Sequence, residues 1–263
     1  MKPVVGAKLK VAPGKAGRLF TIFILCLNSR PYKDPVRHGG NPVTGCTKVS
    51  EGCRNCYAER MAYRLQSMGN YKYRNGFKVT IHPEALDIPL SWTTPRLVFV
   101  NSMSDLFHGS VPLELIESVV DVISRTPHHR YQILTKRPHR LLKVSKSIIW
   151  PDNAWIGVTV EEASLLWRLD LLREVNATIR FVSFEPLLSQ IPGLDLTDIH
   201  WVIVGGESGP DARPMKAAWV RDIRDACLKL HIPFFFKQWG GTYRSAHGRV
   251  LDGKIWSQMP IAD

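Results

Sequence analysis

From Phe77 onward the chain alternates short apolar, β-rich runs with polar turns and amphipathic stretches. The runs are Phe77–Ile81, Leu97–Val100, Tyr131–Leu134, Trp155–Val160, Ile179–Phe184, Trp201–Val204 and Pro233–Phe236. Helical spacing of apolar residues falls near 57–68, 112–125, 138–147, 162–174 and 216–230. In the second of these, Leu115, Ile116, Val119, Val120 and Ile123 share one face, Ser110 suits a cap and Pro112 suits the first turn. Strands that read as continuous apolar runs and are joined by helices predict a parallel sheet buried on both faces. The fold class is α/β, and a partial or complete (β/α) barrel accounts for seven such units with least elaboration. An open doubly wound sheet is the alternative.

The ends of these runs are polar, and they carry the candidate chemistry. Leu97–Val100 runs into Asn101-Ser102-Met103-Ser104-Asp105, and Tyr131–Leu134 into Thr135-Lys136-Arg137. The following runs end in Thr159-Val160-Glu161, in Ser183-Phe184-Glu185, in Gly205-Gly206-Glu207-Ser208-Gly209 and in Lys237-Gln238-Trp239. In a barrel the C-terminal strand ends meet on one face, where such folds place their chemistry, so the six ends predict a shared pocket. The Gly205–Gly209 loop allows close backbone approach to a ligand, although it lacks both the GK[ST] ending of a phosphate loop and the GxGxxG of a dinucleotide fold.

The first 40 residues follow a different pattern, irregular except for the apolar stretch Leu19–Leu27. Nine apolar positions are too few for a bilayer helix, which needs about 20 residues. No small-x-small cleavage site follows the stretch, so export is not expected. The organisation predicted is an irregular basic segment 1–40, a barrel domain 41–240 and a tail 241–263. Of the 35 Lys and Arg in the 263 residues, 15 lie in the first 80 against 3 Asp and Glu, which accounts for the whole net charge of +12. That asymmetry suits a polyanionic partner or an anionic substrate, the plainer reading being a basic arm that aids solubility.

Five cysteines do not make a disulfide framework in a chain of this length. Three of them form Cys46-x6-Cys53-x2-Cys56, with Gly45 and Gly52 each preceding a cysteine. Clustered thiols in a reducing compartment hold metals more often than bridges. A structural zinc site takes four ligands, and none of Cys26, Cys227 or His38 has ligand-like spacing. A [4Fe–4S] cluster on three thiolates leaves one iron open.

The stretches NPVTGCTKVSEGCRNCYAERMA, NSMSDLFH, LTKRP, WIGVTVE, FVSFEPLL, WVIVGGESGPDARPM and PFFFKQWG resemble the phage-associated three-cysteine-motif family, which is similar to a diverged branch of the radical SAM superfamily. The resemblance implies a partial TIM-type barrel, with Cys46, Cys53 and Cys56 holding [4Fe–4S] and S-adenosylmethionine (SAM) chelating the open iron. It implies further that SAM is cleaved to a radical that takes hydrogen from a nucleic acid or nucleotide-like substrate, with an electron donor as partner. On this reading Glu185, Gly205, Gly206, Glu207 and Ser208 contact SAM, and Asp105, Lys136, Arg137, Glu161 and Lys237 form the substrate or proton-transfer face. The spacing here differs from the widespread C-x3-C-x2-C, and the GGE segment comes later in the chain than its counterpart.

Two other readings stand beside it. A zinc-binding module without catalysis would dock nucleic acid through the basic third. A metal-independent barrel hydrolase would work through Asp105, Glu161 or Glu185. Met61, Leu65 and Met68 read as a core stripe, His128-His129 as solvated and Cys227 as a buried apolar residue. Trp92, Trp150 and Trp167 suit either core or substrate stacking. The overall reading is a cytoplasmic protein with no membrane segment, and no motif speaks to its oligomeric state.

Overall fold

The computed structural model describes residues 41–242 and 247–260. The basic segment 1–40 and its apolar stretch Phe20–Leu27, a candidate for the first strand, lie outside the described residues.

Six strands form one parallel sheet: β3 (Leu97–Val100), β4 (Arg130–Thr135), β5 (Ala154–Thr159), β6 (Ile179–Phe184), β7 (Trp201–Gly205) and β8 (Phe234–Gln238). They are neighbours in chain order, every pair parallel. This order decides between the two expected architectures. A doubly wound sheet reverses its strand order at a switch point, whereas crossovers of one hand between strands taken in sequence put every helix on one side. The result is a (β/α) half-barrel.

Each helix carries an apolar stripe onto the outer face of the sheet. These helices are α2 (Leu113–Arg125), α3 (Pro138–Ser145), α4 (Trp167–Arg173) and α5 (Ala217–Lys229), following α1 (Tyr57–Ser67) near the start. Leu115, Ile116, Val119, Leu141, Leu169, Val220 and Ile223 pack with Val98, Ile133, Ile156, Val182, Val204 and Phe236 in a single core. Cys227 belongs to it, fully buried, and its thiol is pushed up to about 12 by burial, as suits an inert apolar residue. Trp150 is also core.

Alternation along the strands sends the intervening residues inward. Leu97, Trp155, Phe181, Trp201, Ile203 and Phe235 fill the floor of the half-barrel. There Trp201 meets Trp155, Phe181 and Phe235 at centroid distances of 5.7, 5.6 and 6.1 Å. The floor is therefore largely aromatic, with Gln132 of β4 buried opposite Trp155, and the glutamates lie beyond the C-terminal strand ends.

Both sheet edges are dressed. Along β8, Phe236 donates its backbone N–H to the Trp256 carbonyl, while Gln258 donates to the Phe234 carbonyl. Between these contacts and α5 lies the hairpin of β9 (Val250–Leu251) and β10 (Lys254–Ile255), closed by Asp252 and Gly253, both at positive φ. On the β3 side, β1 (Val43–Thr44) leads to a parallel bridge between Gly45 and Ser104.

Several expectations are corrected. Phe77–Ile81 is not a barrel strand: only β2 (Thr80–Ile81) is extended, and it pairs antiparallel with β1, because the Phe77 carbonyl is taken by the Cys46 N–H. Ser110 does not cap α2, since Pro112 occupies the N-cap position. The 162–174 stretch breaks into a 3-10 turn, Ala163–Leu165, and the short α4. His129 is not solvated; it is fully buried, with its ring against Trp92 and Tyr131. Met68 leaves the α1 stripe and stands exposed, because the buried face turns on Ala58, Ala62 and Leu65.

A β-carbon at Gly157 would stand 2.6 Å from the Phe181 ring that lies across it. Gly157→Ala is expected to lower the unfolding free energy by about 1–3 kcal/mol through overpacking. Phe181→Leu in the same chain should recover part of that loss. Urea melts of the three proteins measure both effects, and an unperturbed Gly157→Ala protein would contradict this packing.

Candidate metal centre and strand-end site

The three candidate thiols lie on one loop above the strand ends. Cys46 follows β1, Cys53 closes a 3-10 turn (Glu51–Cys53) and Cys56 is the N-cap of α1. All three are free and partly exposed, whereas Cys227 is buried. Cys46 and Cys56 pack against the same small cluster of Ala58, Ala62, Leu65, Tyr73, Phe77 and Met103. The Arg137 guanidinium reaches Cys46 Sγ at 3.8 Å and the Thr47 carbonyl at 2.9 Å. Burial, then the nearby Asp105 charge, raise the Cys46 thiol above its ordinary value, and Arg137 opposes them.

The donor set has the chemistry of a thiolate-bound cluster: three soft ligands, an arginine beside one and a helix N-terminus at another. Among the described residues, no three His, Cys, Asp or Glu side chains converge on a point that a single metal ion would fill.

Beneath the loop, β5, β6 and β7 each run out to a glutamate, and each glutamate has a basic partner. Glu161 is completely buried. It bonds Arg168 at 3.0 Å and Ser50 at 2.8 Å, and Lys136 lies 3.4 Å away. Gly52 sits directly on it, where a β-carbon would stand 2.4 Å from the Glu161 side chain. Glu207 accepts from Arg213 at 2.7 and 2.9 Å and from Asn55 at 3.1 Å, and Arg213 goes on to the Glu51 carbonyl at 2.9 Å. Two carboxylates thus hold the cysteine loop down, one through Ser50 and Gly52, the other through Asn55 and Glu51.

The third pair is more open. Glu185 takes Lys237 at 3.0 Å and Ser183 at 2.8 Å, and both members of the ion pair remain partly accessible. Asp105 is directed into local structure instead: it accepts from Thr135 at 2.8 Å, from the Phe107 N–H at 2.9 Å and from the Lys136 N–H at 3.2 Å. Gly205 lies against the Glu185 carboxylate, and Gly206 passes so close to the Trp239 carbonyl that a β-carbon would collide with it. Ser208 receives Gln238 on its hydroxyl and Arg60 on its carbonyl, each at 2.6 Å.

The structure therefore brings Lys136, Arg137, Glu161, Glu185, Glu207, Ser208 and Lys237 to one face with the three cysteines. It adds Ser50, Asn55, Arg213 and Gln238, which lie inside the quoted motif stretches without a role assigned there, and Arg168, which lies outside them. Arg168 in particular reads as an ordinary helix residue until its burial against Glu161 is seen.

The sequence pattern of one described family matches residues 36–260. The chain belongs to the family described as "Protein of unknown function (DUF5131)". No curated protein matches it. Among solved structures, it is similar to spore photoproduct lyase complexed with dinucleoside spore photoproduct, at 14% identity and a TM-score of 0.41, covering 77% of this chain and 64% of that one. A doubly substituted mutant of that lyase with bound AdoMet and dinucleoside spore photoproduct gives 14% and 0.41, over 73% and 61%. The chain thus spans less than two thirds of the length of those proteins. The fold assignment rests on strand order and takes nothing from these likenesses. Among the described residues no helix is long and apolar enough to cross a membrane.

Two outcomes follow from the glutamate posts. Glu161→Ala leaves Arg168 buried without its partner and should cost about 3–5 kcal/mol in a urea melt, with Glu161→Gln costing less. Burial works to raise Glu207, but the Arg213 and Asn55 hydrogen bonds prevail and hold its carboxyl below the ordinary 4.5. Its contribution is therefore complete above about pH 4.5 and is lost as pH falls through the lower folded value. Stability measured from pH 6 down to about pH 3 should fall less steeply in Glu207→Gln than in the parent chain.

Proposed function

We propose that this protein is an iron–sulfur enzyme of radical SAM type acting on a nucleic acid or nucleotide-like substrate. Cys46, Cys53 and Cys56 would hold a [4Fe–4S] cluster. The observation that carries this reading is the placement of three thiols on one loop, held by hydrogen bonds from Ser50 to Glu161 and from Asn55 to Glu207 over the polar end of a parallel half-barrel. The resemblance to the three-cysteine-motif branch of the radical SAM superfamily supports it, and spore photoproduct lyase, seen with AdoMet and a dinucleoside, suits it. When bound, the cluster and SAM supply one-electron chemistry that starts hydrogen abstraction.

The chain's own residues have separate tasks. Arg137 favours the charged form of the Cys46 ligand by donating to its sulfur. Glu161 and Glu207 are positioning residues: Ser50 and Asn55, which donate to them, belong to the loop itself, Gly52 packs on Glu161, and Arg213 links Glu207 to the Glu51 carbonyl. The Glu185–Lys237 pair is the accessible acid–base couple on this face and would meet SAM or substrate. Asp105 holds the end of β4 in register with the pocket. The aromatic floor closes the half-barrel from below and keeps water from the reacting end. A cluster with open iron and free thiols belongs in the reducing cytoplasm, where an electron donor is available.

Anaerobic reconstitution with iron and sulfide tests the reading. About four irons per chain and a brown chromophore near 400 nm are expected, with a cluster signal that shifts on adding SAM and is lost in Cys53→Ala. One tightly held zinc, no colour and no response to SAM would overturn it in favour of a zinc-binding module.

A further inference from the structure

We infer that α1 and the segment 71–78 beside it form a landing surface for a single-stranded nucleic acid at the rim of the cysteine loop. The inference deepens the reading above by taking that strand as substrate, though the binding does not require the cluster. α1 buries Ala58, Ala62 and Leu65. The helical repeat therefore turns Arg60, Tyr63 and Arg64 to the opposite side, and all three are exposed. The segment 71–78 lies against that helix: Gln66 donates to the Arg74 carbonyl at 3.0 Å, and the Tyr63 ring borders Gly76. It brings Tyr71, Arg74 and Lys78 to the same exposed surface.

Two properties of this surface point to one kind of partner. Two of its aromatic side chains are well exposed, Tyr63 by 53% and Tyr71 by 61%. Its charge is in positive excess, although Glu84 accepts from the Tyr71 hydroxyl at 3.4 Å and lies 3.9 Å from Lys72. Glu51 and Glu59, the two acids of residues 41–80, are already paired with Arg213 and Lys48. Among the described residues, Arg54, Arg64, Arg74 and Lys78 have no ion pair. Cations in a row neutralise phosphates of any polyanion, but open tyrosine rings reward only bases that are unstacked, which a duplex does not offer.

The surface also leads to the chemistry. α1 begins at Cys56, the Tyr57 hydroxyl donates to the Ser102 carbonyl at the end of β3, and Arg60 reaches the Ser208 carbonyl at the end of β7. A strand lying on the surface would pass its next nucleotide over the mouth of the half-barrel.

Fluorescence anisotropy on the full chain, purified without reconstitution, tests this with a labelled single-stranded DNA dodecamer, the matching duplex and an RNA of the same sequence. The single strand should bind at least about tenfold more tightly than the duplex. Tyr63→Ala and Tyr71→Ala should each weaken it about tenfold without changing its salt dependence, and Tyr63→Phe should bind like the parent. Arg64→Ala should lower the slope of log affinity against log salt by about 0.7. Tyrosine variants that bind like the parent, or a duplex bound as tightly as the single strands, would overturn the inference. None of these results depends on iron, so a failed reconstitution and a failed surface are told apart.

Discussion

The buried ion pair between Glu161 and Arg168 is the contact on which the rest of the site depends. A carboxylate taken wholly out of water is tolerated only when its charge is matched and its lone pairs are used. Here Arg168 supplies the charge from α4, Lys136 adds a second cation from the end of β4, and Ser50 bonds the remaining side. A single side chain therefore joins the sheet, a helix on its outer face and the cysteine loop. Gly52 completes the joint by omission, since any side chain there would occupy the space of the carboxylate.

Around that joint the half-barrel divides its labour by height. Its lower interior is mainly aromatic, built on Trp155, Phe181, Trp201 and Phe235. Its upper rim is ionic, with successive glutamates on β5, β6 and β7 each answered by a base. Two of these pairs serve the loop and one faces outward. The same residue type at equivalent places on adjacent strands thus performs two tasks, and the difference lies in what covers it.

Much of this was legible in the chain. The apolar runs at 97–100, 131–134, 155–160, 179–184 and 201–204 mark true strands, because a strand buried on both faces has no freedom to be polar. The helices at 57–67, 113–125 and 217–229 follow from their stripes. Where local pattern misled, long-range contact was the cause. Phe77–Ile81 has a strand's composition but is engaged by β1 and Cys46, and His129 looks polar yet fills a gap between Trp92 and Tyr131. The Asp252-Gly253 turn is a strong hairpin signal in a stretch that otherwise reads as a tail.

By itself the sequence determined the β/α alternation, the three-cysteine loop and the polar strand ends, since each is written in neighbouring residues. Tertiary structure alone decided the half-barrel over the doubly wound sheet, because strand order is a relation between distant segments. It also decided which acids hold the loop and which face outward. Glu161, Glu185 and Glu207 are alike in the chain, and only the placement of Arg168, Lys237 and Arg213 around them in space makes them different.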